Sequence, residues 1–217
     1  MILAIESSTP QASLALLDPA FGNVVWERSF TSDRAHNSVI FEPLREGLAV
    51  LGERRLSGIV LGTGPGSYSG VRVGIAVALS LGLARSCRVI GFPSIAAPVR
   101  EALVVGDARR QSFYTAEVRG HRLSGEPDLW AADSFLARIA GTDLPLITTD
   151  AAAPLGIDAR VVIPAAGDLA RLASELCEAE WERLAAIPLE PIYLRAPYIT
   201  TPNPVPRGAR TSASFSA

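Results

Sequence analysis

The chain has 217 residues, 48% of them hydrophobic, and its 20 basic and 22 acidic residues leave a net charge of −2, so it carries enough apolar material for one large core or two small ones. Near-neutrality argues against a self-sufficient nucleic-acid binder, and because every basic residue is arginine, a lysine-bearing phosphate loop, a Schiff-base lysine and a Ser–Lys dyad are excluded, each of which needs an amine. No basic stretch precedes the first apolar residues, no apolar run reaches the roughly 18 residues that span a bilayer, and Cys87 and Cys177 form no CxxC site, so a reducing, cytoplasmic setting with no membrane contact is expected.

In chain order, ILAIESS, ASLALLD and NVVWERSF read as a meander of three strands. SVIFEPLREGLAVL places Ile40, Leu44, Leu48 and Leu51 at helical spacing, and Pro43 either closes the first turn of that helix or kinks it. GIVLGTG is a short buried strand. The glycine-rich turn GTGPGSYSGVRVG follows, and Ser69 is the expected cap of a helix reaching about Ala84. RVIGF is another strand, with a helix expected before Arg100. ALVVGDARRQSFYTAEVRG then opens a second set: a strand ending at Asp107, a turn, and a strand alternating through Phe113, Thr115 and Glu117. A helix over Ala131 to Ala140, short strands in LPLITT and RVVIP, and a helix from about Asp168 to Ala186 make the second half a looser, reduced repeat of the first. The expected division is 1–100 and 101–197. The tail, 198–217, is rich in Pro, Ser and Gly and is expected to be disordered.

The glycine-rich turn leads into a helix N-terminus, which offers N–H groups and a favourable dipole to an anion. It matches neither GxxxxGK[ST] nor GxGxxG with a downstream acid, so it reads as a tight turn needing positive φ at several positions. The helix behind it has one strongly polar residue between Val71 and Ala84, Arg72. A helix apolar all round must be covered on every side. Gly70, Gly74, Ala78 and Gly82 recur every four residues as a nearly side-chain-free stripe, at a cost of about 1 kcal/mol per Gly relative to Ala. The stripe is the expected approach for a partner, either another copy of the chain or a different protein. Glu6 and Asp107 end matching strands of the two halves, the placement from which a nucleotide–magnesium site can be built. His36 and His121 share no ligand spacing, and Ser67 and Ser69 do not form GxSxG. Neither a metal nor a cofactor is expected.

Taken in this order, ILAIESSTPQASLAL, AHNSVIFEPL, GIVLGTGPGSYSGVRVGIAVALSLGLA, RVIGFPSIAA and VVGDARRQSFYTAEV resemble the TsaB (YeaZ) family over roughly the first 120 residues, and PIYLR resembles its closing motif. The resemblance implies an α/β fold of the actin-like ATPase (ASKHA, ribonuclease H-like) class, with two subdomains and the second reduced. It implies a non-catalytic subunit that binds a TsaD-like catalytic subunit, works with a TsaE-like ATPase, pairs with itself when alone and meets tRNA only through the complex. The outcome would be threonylcarbamoyl transfer to N6 of adenosine 37. In TsaD the metal-binding histidines form an HxxxH motif; Ser94 and Pro98 stand at that place here, and neither replaces an imidazole. The family usually has Asp where this chain has Glu6, and Gly-Glu where it has Gln111-Ser112. Carried over, the family's pairing helices are those of about Asn37 to Leu51 and Ser69 to Ala84. The expected partner-binding residues are Ile40, Leu44, Leu48 and Leu51 on the first, and Gly70, Val73, Gly74, Val77, Ala78, Leu81 and Gly82 on the second. The rival expectation is an ATP-dependent phosphotransferase or ATPase of the same fold using Glu6 and Asp107. A peptidase lacks a nucleophile–base pair.

Overall fold

Successive residues of a strand point to opposite sides, and in ILAIE both sides are apolar, which dictates a sheet buried on two faces. A computed structural model describes residues 1–31 and 37–195. In it, β1 (Ile2–Glu6), β2 (Gln11–Asp18), β3 (Asn23–Thr31), β4 (Gly58–Gly62) and β5 (Arg88–Phe92) form this sheet in the order β3-β2-β1-β4-β5. β1 runs antiparallel to β2 and parallel to β4, and β4 is parallel to β5. The helices are α1 (Phe41–Leu51, entered through a 3-10 turn over Asn37–Ile40), α2 (Tyr68–Arg85), α3 (Ala132–Ala140), α4 (Ala166–Ser174) and α5 (Glu178–Ala185). Leu3, Ile5, Leu14, Leu16, Ile59 and Leu61 face α1 and α2. Ile2, Ala4, Ala15, Leu17 and Val60 face the other way, beneath α4 and α5.

The second sheet repeats the plan. β6 (Glu101–Asp107) runs antiparallel to β7 (Phe113–Arg119) and parallel to β10 (Leu146–Thr148), which is parallel to β11 (Arg160–Val161). Two short strands, β8 (Arg122–Leu123) and β9 (Asp128–Trp130), both pair with β7. α3 covers one face, where Phe135 is fully buried against Leu103 and Val105. The turn over 93–99 covers the other with Ile95, Ala96 and Val99.

Several expectations need correction. Residues 93–100 form turns where a helix was expected, because Pro98 removes an N–H and disfavours helical geometry at Ala97. Ser67, not Ser69, caps α2: its side chain accepts the Gly70 N–H at 3.2 Å, which starts the helix at Tyr68. Pro43 sits in the first turn of α1. The single helix expected over 168–186 is two, because Glu180 accepts the Cys177 N–H at 3.0 Å in a capping box that starts α5 anew. That break turns Trp181 inward, where its indole N–H donates to Ala173 O at 3.1 Å and its ring lies against Gly58. α4 and α5, assigned above to 101–197, pack on the first sheet, so that division follows the sheets but not the helices. His36 and the tail 198–217 lie outside the described residues.

Candidate functional site

Two places bear on function: the cleft between the sheets and the outer face of α2. The cleft, about 1150 Å³, opens at the ends of β1, β6 and β10 and at the turn before α2, with Ser8, Ser67, Asp107, Arg109 and Asp150 among its lining. Asp107 is held by its own loop: Oδ1 accepts the Arg109 N–H at 2.7 Å, and the Asp107 N–H donates to Asp150 Oδ2 at 2.8 Å. Burial pushes the Asp150 carboxyl above the usual range, and the Asp107 charge adds to the effect. Asp150 was not singled out in the sequence; the signal was its place after LPLITT, at the end of the strand beside β6.

Glu6 does not belong with them. It ends β1 as Asp107 ends β6, yet it is fully buried while the Asp107 side chain is 43% exposed. Glu6 lies against Gly62, where any Cβ would overlap its carboxyl, and it is absent from the cleft lining. Burial raises its carboxyl above the ordinary value against the opposing pull of the Ser8 and Ser94 hydrogen bonds. The pairing of Glu6 with Asp107 across a shared site is therefore corrected: matched topology did not give matched exposure. Ser94 is likewise fully buried, its hydroxyl accepting the Gly64 N–H at 3.0 Å. Among the described residues no group of three or more His, Cys, Asp or Glu is placed to hold a metal ion.

The small-residue stripe of α2 also points inward. A Cβ on Gly70 would collide with the Ser7 carbonyl, one on Gly74 would stand 2.5 Å from Ser7 Oγ, and one on Gly82 would overlap the Val89 side chain; Ala78 is fully buried. Small residues let α2 lie close on its own sheet, so Gly70, Gly74, Ala78 and Gly82 are corrected from partner-facing to core. Ile40 and Leu51 are corrected in the same way, at 3% and 1% exposed. Leu44, Leu48, Val73, Val77 and Leu81 are half-buried, packed on the same core.

What α2 shows to solvent is Tyr68, Arg72, Ala76, Leu79, Ser80, Leu83, Ala84 and Arg85. Leu79 is 48% and Leu83 85% exposed. On α1, Phe41 and Val50 are exposed too. The spacing of Leu79 and Leu83, four apart, was legible, but nothing in a uniformly apolar helix says which stripe turns outward. At the head of α2, Tyr68 stacks on Tyr193 with ring centres 5.1 Å apart, and Arg72 donates to the Tyr68 hydroxyl at 2.9 Å. The PIYLR segment is thereby tied to the turn, where the Ile192 N–H donates to Thr63 O at 2.8 Å.

Comparison with known proteins gives consistent results. Residues 29–145, just over half of the chain, match the family model described as TsaD, tRNA N6-adenosine threonylcarbamoyltransferase. An uncharacterized protein of Mycobacterium tuberculosis is 30% identical, with 90% of this chain and 92% of that protein covered. The tRNA threonylcarbamoyladenosine biosynthesis protein TsaB of Escherichia coli is 27% identical, with 89% of this chain and 94% of that protein covered. The structure of YeaZ from Pseudomonas aeruginosa superposes with a TM-score of 0.65 at 22% identity, covering 88% of this chain and 99% of that one. The likeness carries the fold: the expected actin-like α/β architecture with two sheets is the one found.

Proposed function

Because the chain belongs to the TsaD-type family, on its TsaB (YeaZ) branch, we propose that it serves tRNA threonylcarbamoyladenosine synthesis as a non-catalytic subunit. It binds a TsaD-like catalytic subunit and supports it in transferring the threonylcarbamoyl group to N6 of adenosine 37. It works with a TsaE-like ATPase in the cytoplasm, pairs with itself when that partner is absent, and reaches tRNA only through the assembly.

One observation carries this reading: α2 presents Leu79 and Leu83 to solvent although its inner side is already fully used by its own sheet. A helix on the surface of a lone protein ordinarily turns polar residues outward, and apolar residues repeated on an outer stripe mark a contact with another protein. On α1, Phe41 and Val50 are exposed as well. The rival reading, an ATPase built on Glu6 and Asp107, loses support because Glu6 is sealed away from the cleft.

The test is co-purification with the TsaD-like protein of the same cell, using wild type and the double variant Leu79→Gln, Leu83→Arg. Both changes sit on the exposed side, and arginine in the last turn suits the helix dipole. The wild type should copurify and the double variant should lose at least tenfold in affinity with its unfolding midpoint unchanged. Equal capture of both sinks the α2 assignment. ATP hydrolysis by the chain alone, abolished by Asp107→Asn, sinks the non-catalytic reading.

A further inference from the structure

Glu6 is a carboxyl group in the interior, and among the described residues no cation neutralises it. It ends β1 opposite Ser13 of β2 and beside Gly62 of β4. Oε1 accepts the Ser8 N–H at 2.7 Å, while Oε2 makes no hydrogen bond of good geometry. The Ser8 carbonyl in turn accepts the N–H of Ser67, the cap of α2, at 2.6 Å. Beside the carboxyl, the Ser94 hydroxyl accepts the Gly64 N–H, and it crowds the same point above Gly62 as Oε2 does. Glu6 thus stands between the two pieces of chain, 6–8 and 62–67, whose mutual position fixes the direction of α2.

The surroundings decide which form of the acid fits. β2 offers Ser13, β4 offers Gly62, the turn after β1 offers Ser7 and Ser8, and the turn after β5 offers Ser94. Among the described residues no ionisable group acts on Glu6 electrostatically. A carboxylate stripped of water and lacking a counter-charge is costly, whereas the protonated acid has an O–H to donate and places no charge there.

We propose that Glu6 acts as an uncharged hydrogen-bonding acid, a titratable fastener of the turn that launches α2. Deprotonation puts a bare, unsolvated charge beneath Gly62, between the segments that meet at the head of α2, so the turn loosens. Where α2 carries the partner contact, a step that rests on the function proposed above, association weakens in the same direction. The sign follows from burial, which holds the folded-state acid protonated above the ordinary glutamate value of 4.5. Over that window the folded chain keeps a proton that the unfolded chain has lost, so stability falls as pH rises and the loss is complete above the folded-state value.

The experiment is denaturant unfolding of the full chain from about pH 5 to pH 9, wild type beside Glu6→Gln, which keeps the shape and a donor but cannot ionise. Within the window the wild type should lose up to about tenfold in folding equilibrium constant per pH unit relative to the variant. Parallel profiles overturn the proposal. If Glu6→Gln does not fold, carbon-13 NMR of wild type labelled at the glutamate carboxyls answers the same question. One resonance should stay protonated after the exposed glutamates have ionised, and ionisation of all of them near the ordinary value overturns the proposal. Both measurements use the chain alone, so they stand or fall separately from the TsaD-like partnership.

Discussion

The two sides of α2 are built from similar small and apolar residues and do opposite things. On the inner side, Gly70, Gly74, Ala78 and Gly82 allow Ser7 just after β1, Ile5 of β1 and Val89 of β5 to come close to the helix. On the outer side, Leu79 and Leu83 are exposed, with no described residue covering them. The difference teaches that smallness marks close approach without saying to what. Here the close approach is internal, and the residues left exposed one step round the helix are larger.

Substitutions on the two sides should separate cleanly. Gly74→Leu drives four carbons into Ser7 and Ile5 and should cost about 3 kcal/mol or more in denaturant unfolding, since the sheet beneath cannot retreat. Gly70→Ala meets the Ser7 backbone carbonyl and should cost about 2 kcal/mol by the same measurement, because backbone cannot rotate aside. Gly82→Ala meets a methyl of Val89 and the Cys87 carbonyl; a rotamer change and the roughly 1 kcal/mol gained in helix propensity should hold its net effect to within about 1 kcal/mol. Leu83→Ala should lie within about 0.5 kcal/mol of wild type while still weakening capture of a TsaD-like partner. If Gly74→Leu proved as stable as wild type, or Leu83→Ala as damaging as Gly70→Ala, the inner and outer sides would have to be exchanged.

Much of the fold was legible because the strands through Phe92 carry strong period-2 or continuously apolar patterns between clear turns. β8 and β9 escaped because, unlike β10 and β11 within the apolar runs LPLITT and RVVIP, RL and DLW are short pieces set in polar, Gly- and Pro-containing sequence. The break between α4 and α5 escaped because its cap, Cys177, is not a residue that ordinarily announces a helix start. The duplication of the two halves was visible and is present in the strand order, but the inference drawn from it failed at one position. Glu6 and Asp107 hold equivalent places, yet Glu6 is walled in by Gly62 and Ser94 while Asp107 opens on the cleft with Asp150. Which of two equivalent residues a neighbouring loop seals depends on contacts some 55 to 90 residues away, and local pattern holds no trace of them. The orientation of α2 was illegible for a related reason, since only contrast between sides reveals a direction.

The order in which the chain is made acquires significance from the way α4 and α5 return to the first sheet. All five strands of that sheet exist once Phe92 has been added, but the face bearing Ile2, Ala4, Ala15, Leu17 and Val60 receives its cover only from residues 166–185. The turn ahead of α2 is tied later still, by Ile192 and Tyr193. A nascent polypeptide leaving the ribosome therefore carries a half-naked sheet from the addition of Phe92 until residues 166–185 emerge, a period in which sticking to other chains competes with folding. The head of α2 gains its tie to the PIYLR segment only once Ile192 and Tyr193 have been added, so a product truncated before them would lack it.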